Sequence, residues 1–179
     1  MKKLLFNKRA KRYLKKYPRK RRFVNYEKSQ SILLLFESDR QGDEPIKNIV
    51  QTLKKDRKKV FALGFSRVKL LIENDLPEIK LFGKKNVDFF QKPEKVVFSK
   101  IKSNHFDLLI DLSANTLIPL MYISLLCDVS MKISTKITEP QLFDFILNVE
   151  KQSDEKNALN EQNLFDEIIF YLKSIQTTD

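Results

Sequence analysis

The chain is built from unbroken apolar runs separated by amphipathic stretches. Residues 31–37, SILLLFE, are continuously apolar rather than alternating. Such a run suits a parallel strand covered on both faces. Next comes DEPIKNIVQTLKKDRK, with Asp43 placed as an N-cap and Pro45 near the first helical position, where a missing N–H costs nothing. Ile46, Ile49, Val50 and Leu53 mark the buried stripe of that helix. Residues 59–65, KVFALGF, then complete a βαβ unit.

The same alternation continues to the end of the chain. EIKLF at 78–82 predicts a strand, KPEKVVFSKIKS from Lys92 a short helix opened by Pro93, and FDLLIDL at 106–112 a third buried strand. NTLIPLMYISLLCD from Asn115 predicts an apolar helix with Pro119 in its first turn. MKIS at 131–134 and FDFILNV at 143–149 are further strands. SDEKNALNEQ is a polar connection, and NLFDEIIFYLKSIQ is a last helix with Leu164, Phe165, Ile168, Ile169, Leu172 and Ile175 on one face. The expected fold is α/β: a three-layer, Rossmann-like, mostly parallel sheet with helices on both faces. No short repeat of fixed period occurs.

Ahead of this body lies a different kind of segment. Phe6, Ala10, Tyr13, Leu14 and Tyr17 share one face of a helix that Pro18 ends or kinks. Residues 1–22 hold twelve Lys and Arg and no acid, which leaves 22 basic and 23 acidic residues in the rest of the chain. The formal charge of +11 is therefore a polycationic arm on a nearly neutral body. Residues 1–28 are expected to form the arm and 29–179 a single α/β domain. The arm is expected to be separable, so that deleting residues 1–22 leaves the body folded. Alternatively its apolar stripe docks on the body as ordinary core.

Composition narrows the class. The chain has 179 residues, 42% of them hydrophobic, with 14 Phe and only 3 Gly, enough for one real core. A single cysteine, Cys127, excludes an intramolecular disulfide framework and fits a reducing cytoplasm. No apolar run reaches the roughly 18 residues of a membrane span. The opening Leu-Leu-Phe is too short for the core of a secretory leader, and lysine-dense, serine-free residues 1–22 do not suit a mitochondrial one. A cytoplasmic location is expected.

Candidate chemistry is sparse. Asp111 lies near the carboxyl end of its strand, where ligands bind in open α/β sheets, with Ser113 and Asn115 behind it. Capping the next helix is the expected role of Asp111, because Asp, Ser and Asn satisfy orphan N–H groups. Asp107 stands at the strand entry, the wrong end for a site. Gly42 is a lone glycine after the first strand, not a phosphate loop, and the acids around it repel phosphate. His105 is expected as a solvated loop residue and Cys127 as a small core residue. No Cys/His cluster has metal spacing, and no cofactor is expected.

Two resemblances are carried by these motifs. NHFDLLIDLSANTLIPLMYISLL, together with the basic arm and FDFILNVE, resembles an uncharacterised family of Bacteroidetes-type bacteria over nearly the whole chain. That family implies no activity. SILLLFESDRQGDEPIKNIVQTLKK followed by FDLLIDLS is similar to the N-terminal half of heptosyltransferase-like glycosyltransferases. This second resemblance implies a catalytic base at Asp43 and a strand-end aspartate at Asp111. Those enzymes need a second Rossmann-like half for the nucleotide sugar, and 179 residues leave no room for one.

The function expected from the residues is a non-enzymatic binding or adaptor protein whose arm contacts RNA or another polyanion. Lys8, Arg9, Lys11, Arg12, Lys15, Lys16, Arg19, Lys20, Arg21 and Arg22 would neutralise phosphates, and Tyr13 and Tyr17 would stack on unpaired bases. Three alternatives remain: an anionic membrane surface bound by the same arm, a tail that is merely solvated, and a small glycosyltransferase-like enzyme using Asp43 and Asp111.

Overall fold

The computed structural model describes residues 1–38, 43–68, 76–99, 101, 104–148 and 160–175. Six parallel strands form one sheet: β1 (Ser31–Ser38), β2 (Lys59–Ser66), β3 (Ile79–Gly83), β4 (Phe106–Asp111), β5 (Val129–Ser134) and β6 (Phe145–Ile146). Their order is β3-β2-β1-β4-β5-β6. The chain builds outward from β1 on one side, then returns to place β4 on the other, so the topological switch point lies between β1 and β4. Ile32–Phe36 are all buried, as expected of a central strand flanked on both edges and both faces.

Among the described residues five α-helices cover the sheet: α1 (Lys2–Lys16), α2 (Glu44–Lys55), α3 (Lys95–Ser99), α4 (Ile118–Leu126) and α5 (Glu161–Ser174). Side chains alternate along β1 because successive Cβ atoms point to opposite faces. Leu33 and Leu35 pack with Phe98 of α3, with Leu120 and Ile123 of α4, and with Phe6 and Ala10 of α1. Ile32, Leu34 and Phe36 pack with the stripe of α2 (Ile46, Ile49, Val50, Leu53) and that of α5 (Leu164, Phe165, Ile168, Leu172). The α/β three-layer expectation is met, and the sheet is parallel throughout the described residues. Gly64 in β2 is needed by packing: a Cβ there would lie 2.5 Å from the Phe36 ring.

Some boundaries differ from the pattern-based expectation. The apolar helix begins at Ile118, not at Asn115, with Pro119 still in its first turn. The strand expected at 143–149 is a two-residue edge strand, Phe145–Ile146, paired with β5 alone. Residues 149–159, which hold most of the polar connection, lie outside the described residues, as does Gly42.

The arm does not stand apart from this sheet. Phe6 and Ala10 are fully buried, and the Phe6 ring meets Tyr122 of α4 edge-to-face at 4.8 Å. Residues beyond Pro18 pass the start of β5, and Val24 and Tyr26 end in the opposite core layer. Of the two expectations for the apolar stripe, docking on the body is the one observed. The expectation that residues 1–22 can be removed without harm conflicts with this packing, since their removal would expose the face of α4.

Candidate functional site

α1 divides its residues by angle. Lys8, Arg12 and Lys15 recur on the ridge opposite Phe6 and Ala10 and are exposed. Lys16, Lys20 and Arg22 are exposed too. No acid pairs with any of these six among the described residues. The other expected phosphate contacts are engaged. Lys11 Nζ lies 2.7 Å from Glu139 Oε1. Arg9 donates to the Tyr122 hydroxyl at 3.4 Å and sits over the Phe90 ring. Arg19 donates to the carbonyls of Val129 and Ser130 at 2.8 and 3.0 Å and to the Asp144 carboxylate. Arg21 Nε approaches the same carboxylate at 3.3 Å. Arg19 is thus a clamp that fixes the basic segment to the sheet, a role its place in PRKRR does not reveal.

Tyr13 and Tyr17 come together at the end of α1, with ring centroids 5.0 Å apart. Tyr13 is partly buried, and burial first, then the neighbouring Tyr17, pushes its hydroxyl pKa up. Tyr17 is 52% exposed, and Lys16 Nζ lies over its ring at 5.2 Å. The two tyrosines and residues 18–22 wall a groove of about 770 Å³ whose far side is the α4–β5 turn and the start of β5. Lys132 of β5 lines it although only 4% exposed. Its ammonium donates to the carbonyl of Ser124 in the last turn of α4. Burial, then Arg19, depresses its pKa to about 8. Sequence reasoning passed over Lys132 and Asp144. The available signal was a lysine in the middle of a buried strand, a residue type almost never fully buried without a partner.

The carboxyl edge of the sheet holds the two candidate acids. Asp111 is buried, and its Oδ2 lies 2.6 Å from Lys136 Nζ. Its Oδ1 accepts from the Ser113 hydroxyl at 2.6 Å and the Ser113 N–H at 3.0 Å. Lys136 Nζ also donates to Ser113 Oγ at 2.6 Å. The expectation that Asp111 caps the following helix is not met: that helix has Leu117 at its N-cap, several residues farther on. Asp111 instead neutralises a half-buried lysine. Asp43 does occupy the N-cap position of α2, and its side chain accepts from the Ser38 hydroxyl at 3.0 Å. Each acid stands at its own strand end, across the switch point, held by its own partners. Both carboxylate oxygens of Asp111 are thus taken up by Lys136 and Ser113.

The remaining candidates are structural. Asp107 Oδ2 accepts from the N–H groups of Gln30 and Ser31 and from the Ser31 hydroxyl, tying the start of β4 to the start of β1. Burial opposes its ionisation, yet these donors prevail and hold its pKa below the usual value. His105, half-exposed, bridges Asp128 and Ser130 at 3.0 Å each. Cys127 is pushed up to about 12 by burial, which keeps it a thiol. Among the described residues no group of three or more His, Cys, Asp and Glu side chains is placed to hold a metal, and no helix is long and apolar enough to cross a membrane.

No curated protein and no solved structure matches this chain. One sequence family does, over residues 2–175, and it takes in the arm, the groove and both sheet edges. The chain belongs to that family, DUF6913, a family of unknown function.

Proposed function

We propose that the protein is a non-enzymatic, cytoplasmic polyanion-binding protein, with residues 1–28 as the binding arm and the α/β domain as its platform, and that its polyanion is single-stranded RNA. The observation that carries this reading is the line of six exposed cations without acid partners among the described residues: Lys8, Arg12, Lys15 and Lys16 on α1, then Lys20 and Arg22. Packing of Phe6 and the Arg19 clamp hold these charges in place, so less ordering entropy is lost on binding than for a flexible tail. Exposed Tyr17 beside Tyr13 offers a ring face to an unpaired base.

Fluorescence anisotropy with a single-stranded oligoribonucleotide tests the proposal. Log K should fall against log salt with about 0.7 in slope for each phosphate neutralised. Replacing Lys8, Arg12 and Lys15 together by Gln should flatten that slope by about 2. Tyr17→Ala should weaken the single strand more than a duplex. Anionic lipid vesicles at the same ionic strength are the comparison. Binding to vesicles without binding to RNA would transfer the arm to a membrane surface, and binding to neither would leave it a structural helix.

A further inference from the structure

The groove at the end of α1 is more specific than a basic surface. Arg19 and Arg21 share a single carboxylate, Asp144, which also accepts from the backbone N–H of Lys132. The acid that lines the groove, Asp128, is exposed and paired with His105. Arg19, Lys20, Arg21, Arg22 and Lys132 line the groove against that one acid, which leaves an excess of positive charge, and at the buried Lys132 end an anion is bound more strongly than at an open surface. Lys132 sharpens the point. A lysine ammonium has three donors. One goes to the Ser124 carbonyl, a normal partner for a cation at a helix C-terminus. The other two have no acceptor among the described residues, although the residue is 4% exposed and lines the groove. Capping α4 alone would not require a buried charge beside Arg19.

The groove also has an aromatic wall. Tyr17 and Tyr13 stand beside it, and its volume of about 770 Å³ falls within the roughly 300–1,000 Å³ of small-molecule sites. An anionic subsite and a ring face in one cavity of this size fit a ligand with a phosphate at one end and a flat heterocycle at the other. We infer that the groove binds a nucleoside phosphate, its phosphate toward the Arg19–Arg21–Lys132 cluster and its base against Tyr17. The inference rests on the polyanion reading of the same basic segment, and it makes the groove the place where one nucleotide is held individually. Two sources share this chemistry: a free mononucleotide and the phosphorylated terminus of an RNA strand.

Titration calorimetry on the full chain at low salt, with AMP, UMP, adenosine and inorganic phosphate as probes, tests it. AMP and UMP should saturate the protein, and adenosine and phosphate should bind at least tenfold more weakly. Arg21→Gln and Lys132→Met should each weaken AMP about tenfold. Tyr17→Ala should weaken AMP about tenfold and leave inorganic phosphate unaffected. Arg21 and Tyr17 are exposed, so these two variants decide the matter even if the Lys132 variant folds poorly. Octaribonucleotides with 5′-phosphate and 5′-hydroxyl ends separate the sources: preference for the phosphate end together with competition by AMP supports the strand terminus, and equal binding of both octamers, undisturbed by saturating AMP, supports the free nucleotide. Octamers that bind where AMP does not would overturn the groove and leave the arm reading standing. AMP bound without any octamer would overturn the arm as an RNA site and keep the groove. AMP binding untouched by all three substitutions, or matched by inorganic phosphate, would sink the inference.

Discussion

At the scale of single residues, two lysines sit where lysine is costly, and each makes a prediction. Lys136 is neutralised by Asp111, so Asp111→Ala strands a half-buried ammonium. Breaking such a pair from one side costs about 3–5 kcal/mol. Asp111→Ser should not restore stability, as it would if the residue were a helix cap, because a hydroxyl carries no neutralising charge. Asp111→Asn combined with Lys136→Met should recover much of the loss, and urea unfolding of the variants measures it. Lys132 has its pKa depressed by burial to about 8 from 10.5. Between those values the unfolded chain keeps a proton that the folded chain has released, so the contribution of Lys132 to stability rises with pH across that window, while that of the buried Cys127 thiol falls above about pH 9. The rise is at most about 3 kcal/mol. Lys132→Met should remove it, and unfolding midpoints of both proteins from pH 7 to pH 10 test the difference.

At the scale of elements, α1 decides how the basic charge is presented. Its buried face is small, Phe6 and Ala10, but the Phe6 ring reaches Tyr122 of α4 and closes one core layer. Phe6→Ala should cost about 3–5 kcal/mol, in the range of other buried Phe truncations. Ala10→Leu should cost about 1–3 kcal/mol through overpacking, since Ala10 is fully enclosed. Exposed Lys8→Ala should change stability by less than about 0.5 kcal/mol. Denaturant unfolding of the three variants distinguishes a docked helix from a passive tail: equal stabilities throughout would mean that α1 is not packed in solution.

At the scale of the whole molecule, the strand order β3-β2-β1-β4-β5-β6 places β1 at the centre of both core layers. Opening its hydrogen bonds requires separation from β2 and β4 together, which amounts to global unfolding. Native-state hydrogen exchange should therefore find the slowest amides in β1 and its partners in β4, and much faster ones in the two-residue edge strand β6. The same order sets two candidate regions at opposite edges. Asp43 and Asp111 stand at the carboxyl edge near the switch point, and the groove stands at the amino edge, where β5 begins. A substitution at Asp111 should therefore act through stability, and one at Arg21 through ligand binding.

What the sequence determined by itself was the class of fold and the identity of its buried faces. Unbroken apolar runs such as SILLLFE and helical stripes such as Ile46, Ile49, Val50 and Leu53 are set by neighbours a few residues away, so periodicity reveals them. The count of cations in the arm was equally plain. Only the tertiary structure decided which of those cations are available. Arg19 and Arg21 meet Asp144, more than a hundred residues away, while Lys8 and Arg12 meet no acid among the described residues. It also decided that Asp111 serves Lys136 rather than a helix end, and that Lys132 lies at the foot of a groove. Charge pairing and cavities depend on distances between segments remote in the chain, and hydrophobic periodicity, which records only which way each residue faces, carries no information about them.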